Sequence, residues 1–368
     1  MKIRISREAL LKPLQLVSGV VEKRQTMAIL SNVLLHISQG KMVLTGTDLE
    51  VELTASILLE GMDDLDGEIT LPARKFLDIC KSLPDDAMLD IQIDEGRALI
   101  RSGKSRFNLT TLPASEFPAT EKIAGAREYT VAQGQFLHLI EQTHFCMANQ
   151  DVRYYLNGLL LELRDGGLRT VATDGHRLAL CDVAADIVPA DISQIIIPRK
   201  GVVELSRLLD DSDTPCNLQL NSGFLRITLG DVVFTSKLID GRFPDYERVI
   251  PRGGDKIVVA DKNILLHGLQ RASILSNDKF RGVRLNLLPN LLRATVNNPE
   301  QEEAEEEIDV EYNGEELEIG FNVSYILDAL NAIKQDQVRL VLIDSNSSCV
   351  IHGVDAEDAR YVVMPMRL

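Results

Sequence analysis

The chain carries the same pattern three times, and no single motif constrains its fold as strongly. "SNVLLHISQGKMVLTGTDLEVEL" begins at Ser31, "LNGLLLELRDGGLRTVATDGHRLAL" at Leu156 and "RGVRLNLLPNLLRATVNNPEQEEAEEEI" at Arg281. Each reads as an alternating strand, a turn with Gly or Pro-Asn, and a second strand, which is hairpin grammar. Aligned in this way, Asn32, Asn157 and Gly282 are equivalent and 125 residues apart. Helical segments recur at the same interval: "SREALLKPLQLVS" from Ser6, "AQGQFLHLIEQTH" from Ala132 and "ADKNILLHGLQRAS" from Ala260. A second set begins at Leu71, Ile197 and Phe321. Apolar residues at i, i+3, i+4 spacing, such as Phe76, Leu77, Cys80 and Leu83, give each helix one buried face. Ser6 and Asp261 stand where N-caps belong. A third echo sets "RFNLTTLPASEFP", ending at Pro118, against "VVFTSKLIDGRFP", ending at Pro244, and the final "ARYVVMPMRL" is its truncated third copy.

A period this long exceeds that of solenoids and points to duplicated domains. The expected fold is α+β, three similar domains of two helices packed on antiparallel sheet. The expected domains span 1–125, 126–253 and 254–368, with linkers at 121–128 and 251–256.

Several classes are excluded. No apolar run approaches the ~20 residues of a membrane helix, and the start lacks a secretory signal, so the chain is expected to be cytoplasmic. Five scattered cysteines without a CxxC argue against disulfides and zinc and for small buried hydrophobes. "ATDGHRLAL" invites an acid/base or metal reading of Asp174 and His176, but Asp174 falls where Asp48 falls in the first repeat, as a strand-end turn residue. "RSGKSRF" lacks the first glycine of a phosphate loop, since Ala98 stands there. No catalytic residue, metal or cofactor is expected.

The net charge of −16 argues against nucleic acid until its distribution is examined. The six helical segments, with the loop to Arg281, sum to +7, leaving −23 on strands and loops. Helix faces sharing one surface would be positive on a negative body. Lys and Arg are also good helix formers on solvated faces, so composition leaves both readings open. The acidic run at 299–311 is a solvated edge or the complement of a basic patch on another subunit. In "NQDVRYYLNG", two tyrosines beside Arg153 and Gln150 suit sugar-phosphate or base contacts, or simply open the next strand.

With these stretches in view, the chain closely resembles, end to end, the bacterial DNA polymerase III beta subunits, the sliding clamps. "LLKPLQLVSGVVEKRQT", "ILSNVLL", "TGTDLEVEL", "LPARKFLDICKSLP", "RYYLNGLLLE", "TVATDGHRLAL", "DGRFPDYERVIP", "ILSNDKFRGVRL" and "YVVMPMRL" carry the resemblance. It implies the DNA clamp fold and a head-to-tail homodimer closing into a ring around duplex DNA. It implies no catalysis, an ATP-driven clamp loader, and binding of the polymerase III alpha subunit, other polymerases and repair proteins through short apolar peptides. The DNA-facing residues would be Arg24, Arg74, Gln150, Tyr154, Tyr155, Arg199, Lys200, Lys279 and Arg281. The peptide pocket would be built by Leu156, Thr173, Gly175, His176, Arg177, Leu178, Pro244, Arg248, Val249, Ser348, Val362, Met364, Pro365, Met366, Arg367 and Leu368. The dimer contact would set Phe107 and Leu109 against Ile274 and Leu275, with Lys75 near acids around Glu302. The sequence departs from the family pattern at Ala28, where Pro is common, at Asn346, where the rim is often apolar, and in the strongly acidic 300–307.

Overall fold

Each repeat builds the same order of elements: strand, helix, four strands, helix, three strands. The first has β1 (Lys2–Ser6), α1 (Arg7–Ser18), β2 (Asn32–Ser38), β3 (Lys41–Thr47), β4 (Val51–Leu58), β5 (Gly67–Pro72), α2 (Ala73–Ser82), β6 (Met88–Asp94), β7 (Arg97–Ser102) and β8 (Ser105–Thr110). The second has β9 (Arg127–Ala132), α3 (Gln133–Glu141), β10 (Gly158–Arg164), β11 (Gly167–Thr173), β12 (Arg177–Ala184), β13 (Gln194–Pro198), α4 (Arg199–Leu208), β14 (Pro215–Leu220), β15 (Phe224–Leu229) and β16 (Val232–Lys237). The third has β17 (Lys256–Asp261), α5 (Lys262–Ser273), β18 (Gly282–Leu288), β19 (Leu291–Asn297), β20 (Glu303–Asp309), β21 (Leu317–Asn322), α6 (Val323–Ala332), β22 (Gln337–Leu342), β23 (Cys349–Gly353) and β24 (Ala356–Val363). This computed structural model describes residues 2–22, 27–59, 61, 65–94, 96–118, 124–189 and 193–367.

Local signals explain the elements. Ser6 Oγ accepts from the Ala9 amide at 3.2 Å and opens α1, and Asp261 accepts from Ile264 at 2.9 Å and opens α5, as expected of both caps. On α2, Phe76 and Cys80 are buried and Leu77 half-buried, with Leu83 buried just beyond its end. The first hairpin of each repeat closes on two residues, with Gly40, Gly166 or Asn290 at positive φ in the second place. The register corrects one sequence-based equivalence. Asn32 faces Pro72, Gly158 faces Pro198 and Gly282 faces Asn322, so Gly158, not Asn157, is the counterpart of Asn32. Matching Asn to Asn put identity ahead of pleat, and the pleat decides which face a residue takes.

Contacts divide the chain into two compact units, Met1–Gly134 with Val203–Leu238, and Gln135–Val202 with Ile239–Leu368. In the first, eight antiparallel strands run in the order β5-β2-β3-β4-β16-β15-β14-β9, beside a four-stranded sheet β1-β6-β7-β8. In the second, eight run β13-β10-β11-β12-β24-β23-β22-β17, beside β20-β19-β18-β21. The long sheets are copies of one another. Each joins four strands of one repeat to four of the next, at β4–β16 and at β12–β24. By that rule each short sheet is half a long one, and β20 and β8 are the edges left at the open seam.

Helices cover the sheets closely. Leu10, Leu14 and Val17 of α1 are buried, and a Cβ on Gly46 of β3 would lie 2.3 Å from the Val17 carbonyl oxygen. Leu265, Leu269 and Ala272 of α5 are buried in the other unit. All five cysteines are buried and free. Burial pushes the Cys80 and Cys349 thiols up to about 12 and Cys216 up to about 11, and drives Cys146 and Cys181 higher still. The thiols act as small hydrophobes, as expected.

Two outcomes follow from this packing. Gly46→Ala wedges α1 off its sheet and lowers stability by about 1–3 kcal/mol, read from urea denaturation, whereas Gly223→Ala, whose nearest neighbour to a new Cβ is 3.9 Å away, is near neutral. In the native protein at pH 8 none of the five thiols reacts with an aromatic disulfide reagent, and all five react in guanidinium.

Candidate functional site

The turn between β11 and β12 organises the site. Asp174 Oδ1 accepts from the amides of His176 (2.9 Å) and Arg177 (3.0 Å). Thr173 Oγ1 donates to the Arg177 carbonyl at 2.6 Å and accepts from the Gly175 amide at 3.1 Å. This is a turn held by its own side chains, at φ +90° for Gly175. Both oxygens of Asp174 are engaged within the turn, Oδ2 with Arg177 Nε at 3.1 Å.

Around this turn the second unit holds an apolar groove of about 340 Å³. Of the residues expected there, Leu156, Thr173, Gly175, Arg177, Leu178, Pro244, Val249, Ser348, Val362 and Met364 line it. The others do not. His176 is exposed, and its carbonyl accepts the Met364 amide at 3.0 Å, so it anchors the tail through backbone. Arg248 turns outward to Asp245 at 2.7 Å. Pro365 is half-buried and outside the lining. Met366 and Arg367 line a separate cavity with Phe280 and Arg284, because the Met366 amide bonds the Gly320 carbonyl at 2.9 Å and draws the chain across β21. Leu368 and Arg24 lie outside the described residues.

The groove also contains Arg153, Tyr155, Asp245 and Tyr246, which sequence reasoning did not place there. Tyr155, expected to face DNA, turns into the groove, while Tyr154 beside it is exposed, the rings edge to face at 5.8 Å. Tyr246 is buried with its hydroxyl donating to Glu162 Oε2 at 2.5 Å and accepting from Arg169 at 3.3 Å. Arg169 in turn forks onto Asp182 at 2.6 and 2.7 Å. Burial, then the Glu162 hydrogen bond, pushes the Tyr246 hydroxyl up to about 12. The neutral phenol is thereby kept as a donor, and it fixes the wall formed by Pro244 to Val249.

Arg177 holds the opposite side. Its Nη1 reaches Asp328 of α6 at 2.5 Å, Nη2 the Phe145 carbonyl at 2.9 Å, and its plane lies over the Tyr325 ring at 4.5 Å. One guanidinium thus ties β12 to α6 and to the turn after α3, desolvated and satisfied on every side.

The remaining expected residues scatter. Arg74 on α2 is exposed and reaches the Val21 carbonyl at 3.4 Å. Gln150 is exposed at φ +56°. Arg199 and Lys200 begin α4 half-buried, with Arg199 bonded to the Met147 carbonyl at 3.0 Å. Lys279 is exposed over the Phe280 ring, and Arg281 bonds Ser324. Lys75 is exposed, Phe107 half-buried and Leu109 buried on β8, while Ile274 is 76% exposed beside half-buried Leu275. One trio with metal-ligand chemistry, His138, Cys181 and Asp358, brings its donor atoms within 4.8 Å. His138 and Asp358 bond each other at 3.0 Å, and burial keeps the Cys181 thiol protonated.

Comparison with known proteins points one way. Sequence models of the DNA polymerase III beta subunit match along the chain: the N-terminal domain at residues 1–121, the central domain at 130–245 and the C-terminal domain at 247–367. The chain is 57% identical over 368 residues to the beta sliding clamp of Pseudomonas aeruginosa and 53% identical over 369 to that of Escherichia coli K12, with full coverage on both sides. It superposes on a crystal structure of the Pseudomonas aeruginosa DNA polymerase sliding clamp with ligand at TM-score 0.97, 56% identity and full coverage of both chains. A Pseudomonas aeruginosa clamp bound to griselimycin matches at TM-score 0.96 and 57% identity, again with full coverage of both.

Tyr246→Phe removes one donor from buried Glu162 and lowers stability by about 1–3 kcal/mol at neutral pH in chemical denaturation. The phenol titrates near 10 when unfolded and near 12 when folded, so its contribution is complete below pH 10 and is lost as pH rises towards 12. Tyr246→Phe removes that part of the alkaline fall in stability.

Proposed function

The chain belongs to the DNA polymerase III beta subunit family, the sliding clamps, and on that premise we propose that two copies close head to tail around duplex DNA and hold polymerases there through the groove. Its role is that of a DNA sliding clamp, a non-catalytic processivity factor, with domains near 1–125, 126–253 and 254–368, acting in the cytoplasm.

The carrying observation is the open seam. Repeats one and two share β4–β16, and repeats two and three share β12–β24, so β20 of repeat three and β8 of repeat one are left over. They suit each other in a second copy, and closure removes two exposed sheet edges at once. The internal seams supply the register. Val233 faces Thr54 and Phe234 faces Leu53, and counting from the hairpins sets Arg106 against Glu305 and Phe107 against Ala304 of the other copy. Arg101, Lys104 and Arg106 near one edge then meet Glu303, Glu305 and Glu307 on the other. The acidic run thus gains a role as the partner of a basic edge.

Arg74, Gln150, Tyr154, Lys279 and Arg281, with Arg24, Arg199 and Lys200, would face the DNA. Contacts to phosphate carry no sequence information and are individually weak, so the duplex is held by topology and remains free to slide. The groove, apolar and anchored at both walls, suits short apolar peptides from the polymerase III alpha subunit, other polymerases, repair proteins and an ATP-driven loader. Burial at ~25 cal/mol per Å² over one small groove gives exchangeable affinity, and Met364 lets its mouth repack for different peptides.

After loading, the protein is retained on nicked circular DNA and lost once the circle is cut; equal retention on both forms excludes encirclement. Arg106→Glu shifts the dimer to monomer in sedimentation, and Glu305→Arg in the same chain restores it. Deleting Met364 to Leu368 abolishes binding of a labelled Leu/Phe hexapeptide but leaves a folded dimer; an unfolded product would mean that the tail is core.

A further inference from the structure

The groove has a twin. Thr47 Oγ1 donates to the Val51 carbonyl at 2.9 Å and accepts from the Leu49 amide at 3.1 Å. Asp48 Oδ1 accepts from the amides of Glu50 (2.9 Å) and Val51 (2.7 Å). These are the bonds of the Thr173–Arg177 turn, one for one, in the preceding repeat. The seams agree, since Val51 faces Ser236 across β4–β16 as Arg177 faces Val363 across β12–β24. A cavity lies at the matching place in the first unit, bounded by Pro118 as the groove is by Pro244. It holds only about 120 Å³ against about 340 Å³.

Three of the substitutions along that cavity explain the difference. Where the groove has Gly175 at φ +90°, its twin has Leu49 at φ +79°. Where the groove has Ser348 it has Phe224, and where the groove has Met364 it has Lys237. Leu49 is the informative one. A branched side chain is strained in the left-handed region, and glycine is the residue that turn prefers. Burial does not compensate the strain, because Leu49 is 41% exposed. Leu49 is therefore a costly choice for the turn alone, while its side chain lines the cavity.

We infer that Leu49 is a stopper that closes the first repeat junction to apolar peptides, and that Gly175 is the specificity-determining residue that leaves the second junction open. The duplication made two grooves per chain, and one left-handed turn position decides which is used. At Gly175 a Cβ would meet the Arg153 guanidinium at 2.9 Å, the far end of a side chain, so a small shift clears it and alanine is left with the strain of the left-handed backbone alone. A leucine there would project into the groove as Leu49 does in the twin. The inference rests on the reading of the second junction as a peptide groove.

The test uses the full-length protein and a fluorescein-labelled hexapeptide with Leu and Phe anchors. Wild type takes up one peptide per chain; two per chain overturns the stopper. Gly175→Leu weakens binding by about 10-fold or more, while Gly175→Ala, which carries the same backbone strain, stays within about threefold. Equal losses in the two variants, or wild-type affinity in Gly175→Leu, overturn the inference. Leu49→Gly keeps or raises the melting temperature by relieving the turn; a fall of more than about 5 °C shows that Leu49 is held for packing and overturns it. Wild type that binds no peptide at either junction refutes the groove reading instead, and the Leu49→Gly melt still judges the stopper.

Discussion

The backbone pairing at the seams is what the rest of the molecule depends on. β4 and β16 come from different repeats and hydrogen-bond as directly as neighbouring strands of one hairpin, and β12 and β24 do the same. Within each unit, strands joined by a ladder across a seam cannot swivel as beads on a linker do, because each added strand pair fixes orientation along its whole length. The groove relies on this. Thr173, Arg177 and Leu178 belong to the central repeat and Val362 to the third, yet they share one sheet, and Met364 follows directly on its end. A groove built across a boundary between repeats is held by the same kind of ladder as one built within a repeat.

Polar groups carried into the interior give the groove its shape. Arg177 and Tyr246 stand in the two walls and are tied down behind them, Arg177 to Asp328 and Tyr246 to Glu162 and Arg169, with Arg169 held in turn by Asp182. Satisfied networks of this kind specify one arrangement, because any shift strands a desolvated group. The buried hydrogen bonds set where the apolar side chains of the groove stand.

Much of this was legible in the sequence, for identifiable reasons. Hairpin turns and helix caps are local, so their residue types announce them: the two-residue hairpin turn recurs in all three repeats, and the caps at Ser6 and Asp261 in two. The groove was legible only through the family resemblance that "TDGHRL", "GRFPDY" and the tail help to carry. What escaped was non-local. Tyr246 sits in a short 3₁₀ turn with no periodicity to expose it, and its partners Glu162 and Arg169 come from other strands. Tyr155 and Tyr154 are adjacent, and only the three-dimensional turn decides which one enters the groove. The one-residue slip at Asn157 arose because residue identity is a weaker guide than strand register. His138, Cys181 and Asp358 have no spacing that could announce them, since three distant elements bring them together.

The buried thiols have a practical consequence. With all five thiols sealed in the core and held protonated, the surface offers no native thiol. A single cysteine placed anywhere outside is the chain's one chemical handle. Dyes, spin labels or crosslinkers can then be attached at one chosen place in the otherwise unaltered protein. The same burial spares the protein from adventitious disulfides when the surroundings turn oxidising.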